Sequence, residues 1–403
     1  TPLIPAPVIP AEPAHEAHEP RHPVGRWLSR LLGRAPKSET PSTSVVESPM
    51  TPSPELTPTT AAPEPKTIAN PSETIVNNGI SMIAGGNTCV FCPHPNARRI
   101  STLTIDMVNR AARRAGAPEP LLHSIAEPTL DVAKALLRYK GIRLNVVTGG
   151  PGVVKAAMQT GKRAICAGPG NPPVLVDGTA CMKRAAESVI KGASYDNNLL
   201  CIGEKEVFVL ANTFDKFMAA METAGAVKLN PSQLEALTKA AFTFKPGHGG
   251  GCAEPVVNKD LIGRDATVLA RHAGVNVPAG TQLLFAETDA SHPFVKEEQM
   301  MPFIPVVRVR DVEEGIAASK LAEHNYKHTA IIHSHDVEHM TAMARALDTT
   351  VFVKNGPCMA GLGLGGEGYL SYSIATPTGE GVTTPRTFTR VRRCVMVDNL
   401  RIY

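Results

Sequence analysis

The chain has 403 residues, enough for two domains that each bury a core. Its 41 lysines and arginines nearly balance its 37 aspartates and glutamates, which excludes the strongly basic surface of a nucleic-acid-binding protein. It contains no stretch of about 18 consecutive apolar residues, so we predict no membrane partner. Eight scattered cysteines in a chain this long do not form a disulfide framework and favour a reducing, cytoplasmic compartment.

Residues 1–66 contain 15 of the 35 prolines and almost no aromatic residues. We predict that this segment is disordered, because it has too few apolar side chains to offset the entropy of ordering. Residues 24–34 are the exception, with apolar residues at i, i+3, i+4, i+7 and i+8 and arginines on the opposite face. A lone helix of this length is marginal in water, so we expect its apolar face to bind a partner.

From residue 67 onward, helical and strand patterns alternate, which predicts an α/β fold with a mostly parallel sheet. The first set has predicted helices at 73–84, 96–115, 129–139, 151–160 and 179–192, with strands at 87–92, 143–148, 163–167 and 173–176. The second set has predicted strands at 205–211, 281–286, 303–309, 328–333 and 350–353, with helices at 213–224, 231–240, 266–273, 312–322 and 336–347. Residues 387–403 alternate like an exposed strand arm.

The glycine-rich segment 148–152 lies between a predicted strand and a predicted helix and reads Thr148-Gly149-Gly150-Pro151-Gly152. Glycines at such a turn let a ligand approach the backbone and the N-terminus of the helix, which favours phosphate. The spacing differs from the standard dinucleotide-binding fingerprint. From this pattern alone, a plain tight turn remains an equal alternative.

Cys201 lies on a loop where the two α/β sets join. An attacking thiolate is expected on such a loop, although the residues alone also allow a buried structural cysteine. Metal binding is not indicated. The pair Cys89 and Cys92 has no second pair, and His335 and His339 lack the glutamate of the peptidase motif.

Several further motifs occur in a fixed order, including Asn70-Pro71-Ser72-Glu73, Pro93-His94-Pro95, Ala167-Gly168-Pro169-Gly170, Glu297-Glu298-Gln299-Met300-Met301-Pro302 and His328-Thr329-Ala330-Ile331. Together with segment 148–152 and the Cys201 loop, this series resembles the CoA-acylating aldehyde dehydrogenases of bacterial microcompartments over residues 68–403. The resemblance implies an aldehyde-dehydrogenase-like fold. It has a Rossmann-type cofactor domain at 67–193, a catalytic α/β domain at 194–386 and an oligomerisation strand arm at 387–403.

The same resemblance implies that propionaldehyde or acetaldehyde is oxidised with NAD+ and coenzyme A. Cys201 is expected to attack the aldehyde, while the Asn70 side chain and the backbone N–H of Cys201 hold the oxyanion. Glu298 matches the residue that binds the nicotinamide ribose. The other residues that the resemblance assigns to the cofactor are Thr148, Gly149, Gly150, Val153, Pro93 and His94.

One departure from the hydrolytic aldehyde dehydrogenases indicates the reaction type. Those enzymes carry a glutamate before a Leu-Gly-Gly turn, and the equivalent position here is Ala167. Alanine cannot act as a general base for water, so the thioester on Cys201 is left for the thiol of CoA. A hydrolytic enzyme that releases the free acid is the alternative.

A second departure concerns the cofactor domain. Members of the family that this sequence resembles carry further N-terminal structure, including the first strand of the cofactor sheet. In this sequence the residues before Asn70 include Glu64-Pro65-Lys66, which cannot form a central strand. We therefore expect an incomplete cofactor domain, and a catalytically impaired paralogue kept as microcompartment cargo is an alternative function. Segment 24–34 resembles the encapsulation peptides of such cargo. The expected partners are a small aldehyde, a second copy of the chain and a shell protein.

Overall fold

The computed structural model describes residues 71–117, 120–245 and 254–397. The predicted helix at 24–34 and Asn70 lie outside these residues. The helices are α1 Pro71–Ala84, α2 Arg98–Arg114, α3 Leu130–Arg138, α4 Pro151–Met158, α5 Met182–Ser194, α6 Phe214–Thr223, α7 Pro231–Ala241, α8 Ala266–His272, α9 Pro293–Lys296, α10 Val312–Ala322 and α11 Val337–Leu347. None of the helices in the described part of the chain is long and apolar enough to cross a membrane.

The strands belong to five sheets. They are β1 Cys89–Phe91, β2 Leu122–Ser124, β3 Leu144–Thr148, β4 Arg163–Ala167, β5 Pro173–Val176, β6 Glu206–Leu210, β7 Val227–Lys228, β8 Phe242–Lys245, β9 Glu254–Val257, β10 Leu284–Thr288, β11 Phe303–Val309, β12 Thr329–His333, β13 Val351–Lys354, β14 Ile374–Ala375 and β15 Gly381–Val382. Seven of them form one sheet in the order β13-β12-β5-β6-β11-β10-β7, and all of its neighbouring strands are parallel.

Helices cover both faces of this seven-stranded sheet. Along β6, Val207 and Val209 pack with the residues of α5 and α6, whereas Phe208 lies in the opposite core with the residues of α10 and α11. Every residue of β5, β6 and β12 is buried. This explains why those strands are nearly continuous apolar runs in the sequence rather than alternating ones.

The region assigned to the cofactor contains two separate parallel pairs. Strand β1 pairs with β2, and β3 pairs with β4, but the two pairs do not hydrogen-bond to each other. Both pairs pack on one apolar cluster that includes Met82, Ile165 and Phe388. The predicted Rossmann-type region is therefore split into two pairs within the described residues.

Hydrogen bonds join this region to the polypeptide that follows the large sheet. Asn78 Nδ2 donates to Ser373 Oγ over 2.8 Å, and Asn77 Nδ2 donates to Leu370 O over 3.2 Å. Arg163 donates to the backbone oxygens of Thr387 and Thr389. Helix α1 and strand β4 are thus fixed to the polypeptide that follows the seven-stranded sheet.

Two features differ from the sequence prediction. Strand β5 precedes residue 194 but lies inside the large sheet, so that sheet crosses the predicted boundary. The antiparallel pair β8–β9 and the short strands β2, β7, β14 and β15 lie where no strand was predicted. The strand arm at 387–403 stays a prediction. Its described residues 389–397 follow a 3₁₀ turn at Pro385–Phe388 and form no strand within the chain, because no described strand lies beside them to supply hydrogen bonds.

Candidate active site

Cys201 lies on the loop 195–204, here called the nucleophile loop, between the end of α5 and the amino end of the central strand β6. The loop is bent by three successive residues with left-handed backbone, Asp196, Asn197 and Asn198, whose φ angles are 49°, 50° and 65°. Asp and Asn tolerate this conformation better than other non-glycine residues. The bend places the partly buried Cys201 at the edge of the sheet.

Buried polar side chains hold the nucleophile loop. Asn198 Nδ2 donates to Ala193 O over 2.9 Å and to Glu204 O over 2.8 Å. The buried Glu204 carboxylate accepts a hydrogen bond from Cys358 N over 2.9 Å. It occupies the space where a side chain at Gly192 would lie, because a Cβ there would stand 1.9 Å from Glu204 Oε2. The loop is therefore fixed on both sides of Cys201.

Burial, and after it the Glu298 carboxylate, raise the pKa of the Cys201 thiol to about 12. The Lys205 ammonium and the backbone N–H groups of Cys201 and Ile202 act in the opposite direction and stabilise the thiolate. Two backbone donors therefore interact with the sulfur. A negative charge on an atom next to the sulfur would lie close to the same two N–H donors.

Glu298 lies close enough to act electrostatically on Cys201, so the structure brings together these two predicted site residues. Its carboxylate accepts a hydrogen bond from Gly170 N, and burial raises its pKa. Gly170 itself packs against the nucleophile loop, because a Cβ there would stand 2.4 Å from Cys201 O and 3.1 Å from His328 Cγ. Only glycine fits between these two residues.

Ala167 ends β4 and is followed by Gly168, which faces Pro377 and Thr376 rather than a carboxylate. A Cβ at Gly168 would lie 3.0 Å from Pro377 Cγ and 3.5 Å from Thr376 Oγ1. Among the described residues, Glu298 is the carboxylate that acts on Cys201. Position 167 therefore provides no carboxylate that could activate water.

The glycine-rich turn has room for a ligand. Thr148 ends β3, Gly150 is the N-cap of α4, and a Cβ at Gly149, Gly150 or Gly152 would contact nothing within 4 Å. None of the three glycines has a positive φ, so the fold itself does not require glycine there. The open backbone at a helix N-terminus fits a phosphate-bearing cofactor, which would explain why the side chains are absent.

The remaining predicted cofactor residues lie on the same region. Val153 is 42% exposed on the first turn of α4. Pro93 and the exposed His94 follow the carboxyl end of β1, and His94 Nδ1 accepts a hydrogen bond from Asn96 N over 3.2 Å. No described contact joins these residues to Cys201, and the assignment of Asn70 to the oxyanion falls outside the described residues.

Two buried residues beside Cys201 received no role from the sequence. His328 lies against Gly170, its Nδ1 is 2.9 Å from Thr329 Oγ1, and burial together with Lys205 lowers its pKa to about 4. The sequence signal for His328 was the motif His328-Thr329-Ala330-Ile331, which is one of the motifs that resemble the family. Lys205 gave no such signal, because a lysine between two glutamates normally indicates a solvated segment.

Of the two histidines with metal-like spacing, His339 binds a buried carboxylate of the fold. His339 Nδ1 lies 2.7 Å from the buried Asp177 Oδ2, and Ser334 Oγ donates to the same oxygen over 2.5 Å. In the parts of the chain that the structure covers, no group of three or more His, Cys, Asp or Glu side chains is arranged to hold a metal ion.

Comparisons with known proteins agree with this geometry. The aldehyde dehydrogenase family profile matches residues 70–240. The acetaldehyde dehydrogenase (acetylating) of Salmonella typhimurium is 51% identical over 334 residues, which are 83% of this chain and 71% of that enzyme. The chain belongs to the CoA-acylating aldehyde dehydrogenases. The family predicted from the ordered motifs is therefore confirmed.

Two solved structures show the fold of this dehydrogenase family. Rhodopseudomonas palustris propionaldehyde dehydrogenase, with bound CoA and an acylated cysteine, is 43% identical with a TM-score of 0.77 and covers 81% of this chain and 73% of its own. A propionaldehyde dehydrogenase from the fucose utilisation microcompartment of Clostridium phytofermentans is 42% identical with a TM-score of 0.77. The matched residues make up 82% of this chain and 74% of the Clostridium phytofermentans chain. The predicted aldehyde-dehydrogenase-like α/β fold is confirmed.

In the cofactor-free chain, Cys201 is expected to react faster with iodoacetamide at higher pH. Below a pKa of about 12, the thiolate fraction rises tenfold per pH unit, so the rate should climb without a plateau from about pH 7 to about pH 10. Mass spectrometry of the Cys201 peptide gives the rate separately from those of the other cysteines. A plateau near neutral pH would contradict the buried environment.

Replacing Glu298 by glutamine (Glu298→Gln) is expected to speed this alkylation about three- to tenfold at fixed pH. The change removes a negative charge that raises the thiol pKa, and the lower nucleophilicity of the more acidic thiol offsets part of the gain. The adjacent Glu297→Gln is the matched control and should alkylate at the wild-type rate. Equal rates in Glu298→Gln and wild type would show that Glu298 does not act on the thiol.

Proposed function

We propose that this dehydrogenase oxidises a short-chain aldehyde, propionaldehyde or acetaldehyde, with NAD+ and CoA to acyl-CoA and NADH. The observation that supports it most is the environment of Cys201. The thiol lies at the amino end of a central strand with two backbone N–H groups and Glu298 around it. Ala167 supplies no base for water. The solved relative with CoA and an acylated cysteine carries the corresponding acyl-enzyme.

The first step is the attack of the Cys201 thiolate on the aldehyde carbonyl carbon. A C–S bond forms, and the carbonyl oxygen becomes an oxyanion. The backbone N–H of Cys201 donates to this oxygen, and such a preorganised donor is typically worth ~3 kcal/mol. The side-chain amide of Asn70 is the proposed second donor. The thiol proton leaves to solvent before the attack.

The second step breaks the C–H bond of the former aldehyde carbon and leaves a thioester on Cys201. NAD+, when bound, accepts the hydride, so the aldehyde carbon loses two electrons. Glu298, beside Cys201, is proposed to orient the ribose nearest the reacting carbon. Thr148, Gly149, Gly150 and Val153 are proposed to hold the pyrophosphate, with Pro93 and His94 at the adenosine.

In the last step, the CoA thiol loses its proton to solvent and its sulfur attacks the thioester carbon. The C–S bond to CoA forms, the C–S bond to Cys201 breaks, and Cys201 leaves as thiolate. Water is a poor competitor, because a carboxylate at position 167 is needed to deprotonate it and alanine stands there. The acyl group therefore leaves as acyl-CoA rather than as free acid. The catalytic cycle returns Cys201 to its starting state.

A second candidate function is a catalytically impaired paralogue kept as cargo. The division of the cofactor region into two unconnected strand pairs favours it, because a continuous sheet positions the loops that hold a dinucleotide. In this case Cys201 would keep its environment, but NAD+ would bind poorly or not at all.

NADH absorbance separates these candidates. With propionaldehyde and NAD+, we expect the full chain to form NADH continuously only when CoA is present, and at most one NADH per chain without it, because CoA removes the acyl group from Cys201. Cys201→Ala is expected to form none, while Cys181→Ala, at an exposed cysteine, should remain active. Carboxylate formed without CoA would favour the hydrolytic alternative. A folded wild-type chain with no NADH would favour the impaired paralogue.

We also propose that the chain forms a homo-oligomer through residues 387–403. The support is the exposure of apolar side chains in the described part of this arm, with Val391 at 91%, Val395 at 70% and Val397 at 84%. Apolar side chains on an extended arm favour burial against a second chain.

The double substitution Val391→Lys with Val395→Lys is expected to lower the molar mass in light scattering to that of the monomer, because it places charge in the proposed interface. Val337→Lys is the control, since Val337 is 65% exposed on α11 away from the arm. An unchanged molar mass in the double variant would exclude the arm as the interface.

We propose that segment 24–34 binds a shell protein and places the enzyme inside a bacterial microcompartment. The support is its amphipathic pattern together with the microcompartment named for the Clostridium phytofermentans relative. The segment itself lies outside the described residues.

Deletion of residues 24–34 is expected to abolish co-sedimentation of the enzyme with purified shells, because it removes the apolar face that binds them. Deletion of the proline-rich residues 50–60, which have the same length, is the control and should leave co-sedimentation intact. Equal co-sedimentation of both deletion variants would exclude the segment as the shell-binding element.

A further inference from the structure

Lys205 follows the nucleophile loop and precedes β6, and its side chain is completely buried. It is the only buried lysine or arginine in the described ranges 71–117, 120–245 and 254–397. A buried ammonium costs several kcal/mol unless it is compensated, typically more than a neutral polar group. The buried ammonium of Lys205 therefore needs partners that compensate its charge.

The direct partners of the Lys205 ammonium are all neutral. Its Nζ donates to Asn198 O over 2.8 Å and to Leu200 O over 3.2 Å, and also to Asn198 Oδ1. These three acceptors use all three N–H donors. They belong to the left-handed bend and to the residue immediately before Cys201. The side chain thus holds the backbone that carries the nucleophile.

The main chain of Lys205 forms hydrogen bonds with two further loops. Lys205 N donates to Pro172 O over 3.1 Å, and Lys205 O accepts from Gln299 Nε2 over 3.2 Å. Pro172 follows the loop that contains Gly170, and Gln299 follows Glu298. Lys205 therefore lies where the three loops that build the site meet.

The three neutral acceptors explain why a hydrogen-bond donor lies at this position. They do not explain why the donor is charged, since a neutral donor could satisfy the same acceptors. Burial lowers the pKa of Lys205, whereas Glu298, Cys201, Cys358 and Glu206 raise it. Burial raises the pKa of Glu206 well above its usual range and raises that of Cys358 likewise. Of the four groups, Glu298 and Cys201 act on the ammonium most strongly, so their anionic forms are the ones it stabilises most.

His328 and Glu204 complete the surroundings. Burial and the Lys205 charge lower the pKa of His328 to about 4, so this imidazole is neutral and does not compete for the anions. Burial raises the pKa of Glu204 to about 7, and its carboxylate accepts from Cys358 N. Lys205 is consequently the only cationic side chain that acts on the Cys201 thiol in the described chain.

We propose that Lys205 is a positioning residue that holds the nucleophile loop and supplies the buried positive charge against which the Cys201 thiolate forms. This inference rests on the proposed role of Cys201 as the nucleophile. The ammonium does not touch the substrate. It acts through the backbone of Asn198 and Leu200 and through its field at the sulfur.

The test compares Lys205→Met and Lys205→Gln with wild type in the full-length chain. Methionine removes both donors and charge, whereas glutamine keeps an amide donor without charge. We expect both variants to alkylate at Cys201 about three- to tenfold more slowly at every pH from about 7 to about 10, because loss of the charge reduces the thiolate fraction. Lys191→Met, which removes an exposed lysine on α5, is the control and should match wild type.

Urea unfolding separates this role from a merely structural one. Lys205→Met leaves three buried oxygens of Asn198 and Leu200 without their donor and is expected to unfold at lower urea than wild type. Lys205→Gln keeps an amide donor and is expected to lose less stability, while its Cys201 reacts as slowly as that of Lys205→Met. If Lys205→Met does not fold, the alkylation rate of Cys201 in Lys205→Gln tests the proposal. A folded variant whose Cys201 alkylates at the wild-type rate throughout the pH range would overturn the proposal.

The alkylation assay uses neither aldehyde, NAD+ nor CoA. A failure of the proposed function would appear as missing CoA-dependent NADH in wild type, while the rate difference between wild type and the Lys205 variants would persist. A failure of the Lys205 proposal would appear as equal alkylation rates in a chain that still forms NADH.

Discussion

The burial of charged groups at the amino end of β6 is the constraint on which the rest of the site depends. Cys201, Lys205 and Glu298 act on one another there with little solvent between them. In such surroundings an ionised group persists only if fixed dipoles or opposite charges compensate it. The left-handed bend at 196–198, the glycine at 170 and the glycine at 192 each make room for this arrangement.

The same constraint connects stability with chemistry. Burial alone would keep Cys201 as an unreactive thiol, and Glu298 adds to that effect. The compensation comes from two backbone N–H groups and one ammonium, and the ammonium is fixed by hydrogen bonds to Asn198 and Leu200. Preorganised donors of this kind stabilise developing charge without having to reorient during a reaction. The closely packed loops around Cys201 hold these donors in place.

The cofactor region is built differently. Its glycines at 149, 150 and 152 face open space and need no special backbone angle, so an external ligand accounts for them better than internal packing does. Its strands form two pairs that share an apolar cluster, and hydrogen bonds from Asn77, Asn78 and Arg163 fix the region to the chain around residues 370–389. Cys201 thus lies beside a continuous seven-stranded sheet, whereas the glycine-rich turn at 148–152 follows a strand of a separate two-stranded pair.

The sequence by itself determined the α/β class, most helices and strands, the strand-to-helix glycine turn and the family, because these depend on local periodicity and on motifs with fixed order. It also predicted Cys201 and Glu298 as site residues, and in the structure the Glu298 carboxylate acts on the Cys201 thiol. Only the tertiary structure placed β5 in the large sheet, since strand order depends on long-range pairing that neighbouring residues do not encode. Only the tertiary structure revealed Lys205 as a buried charge. In the sequence it lies between two glutamates and appears solvated, whereas in the fold all three side chains are buried beneath the nucleophile loop.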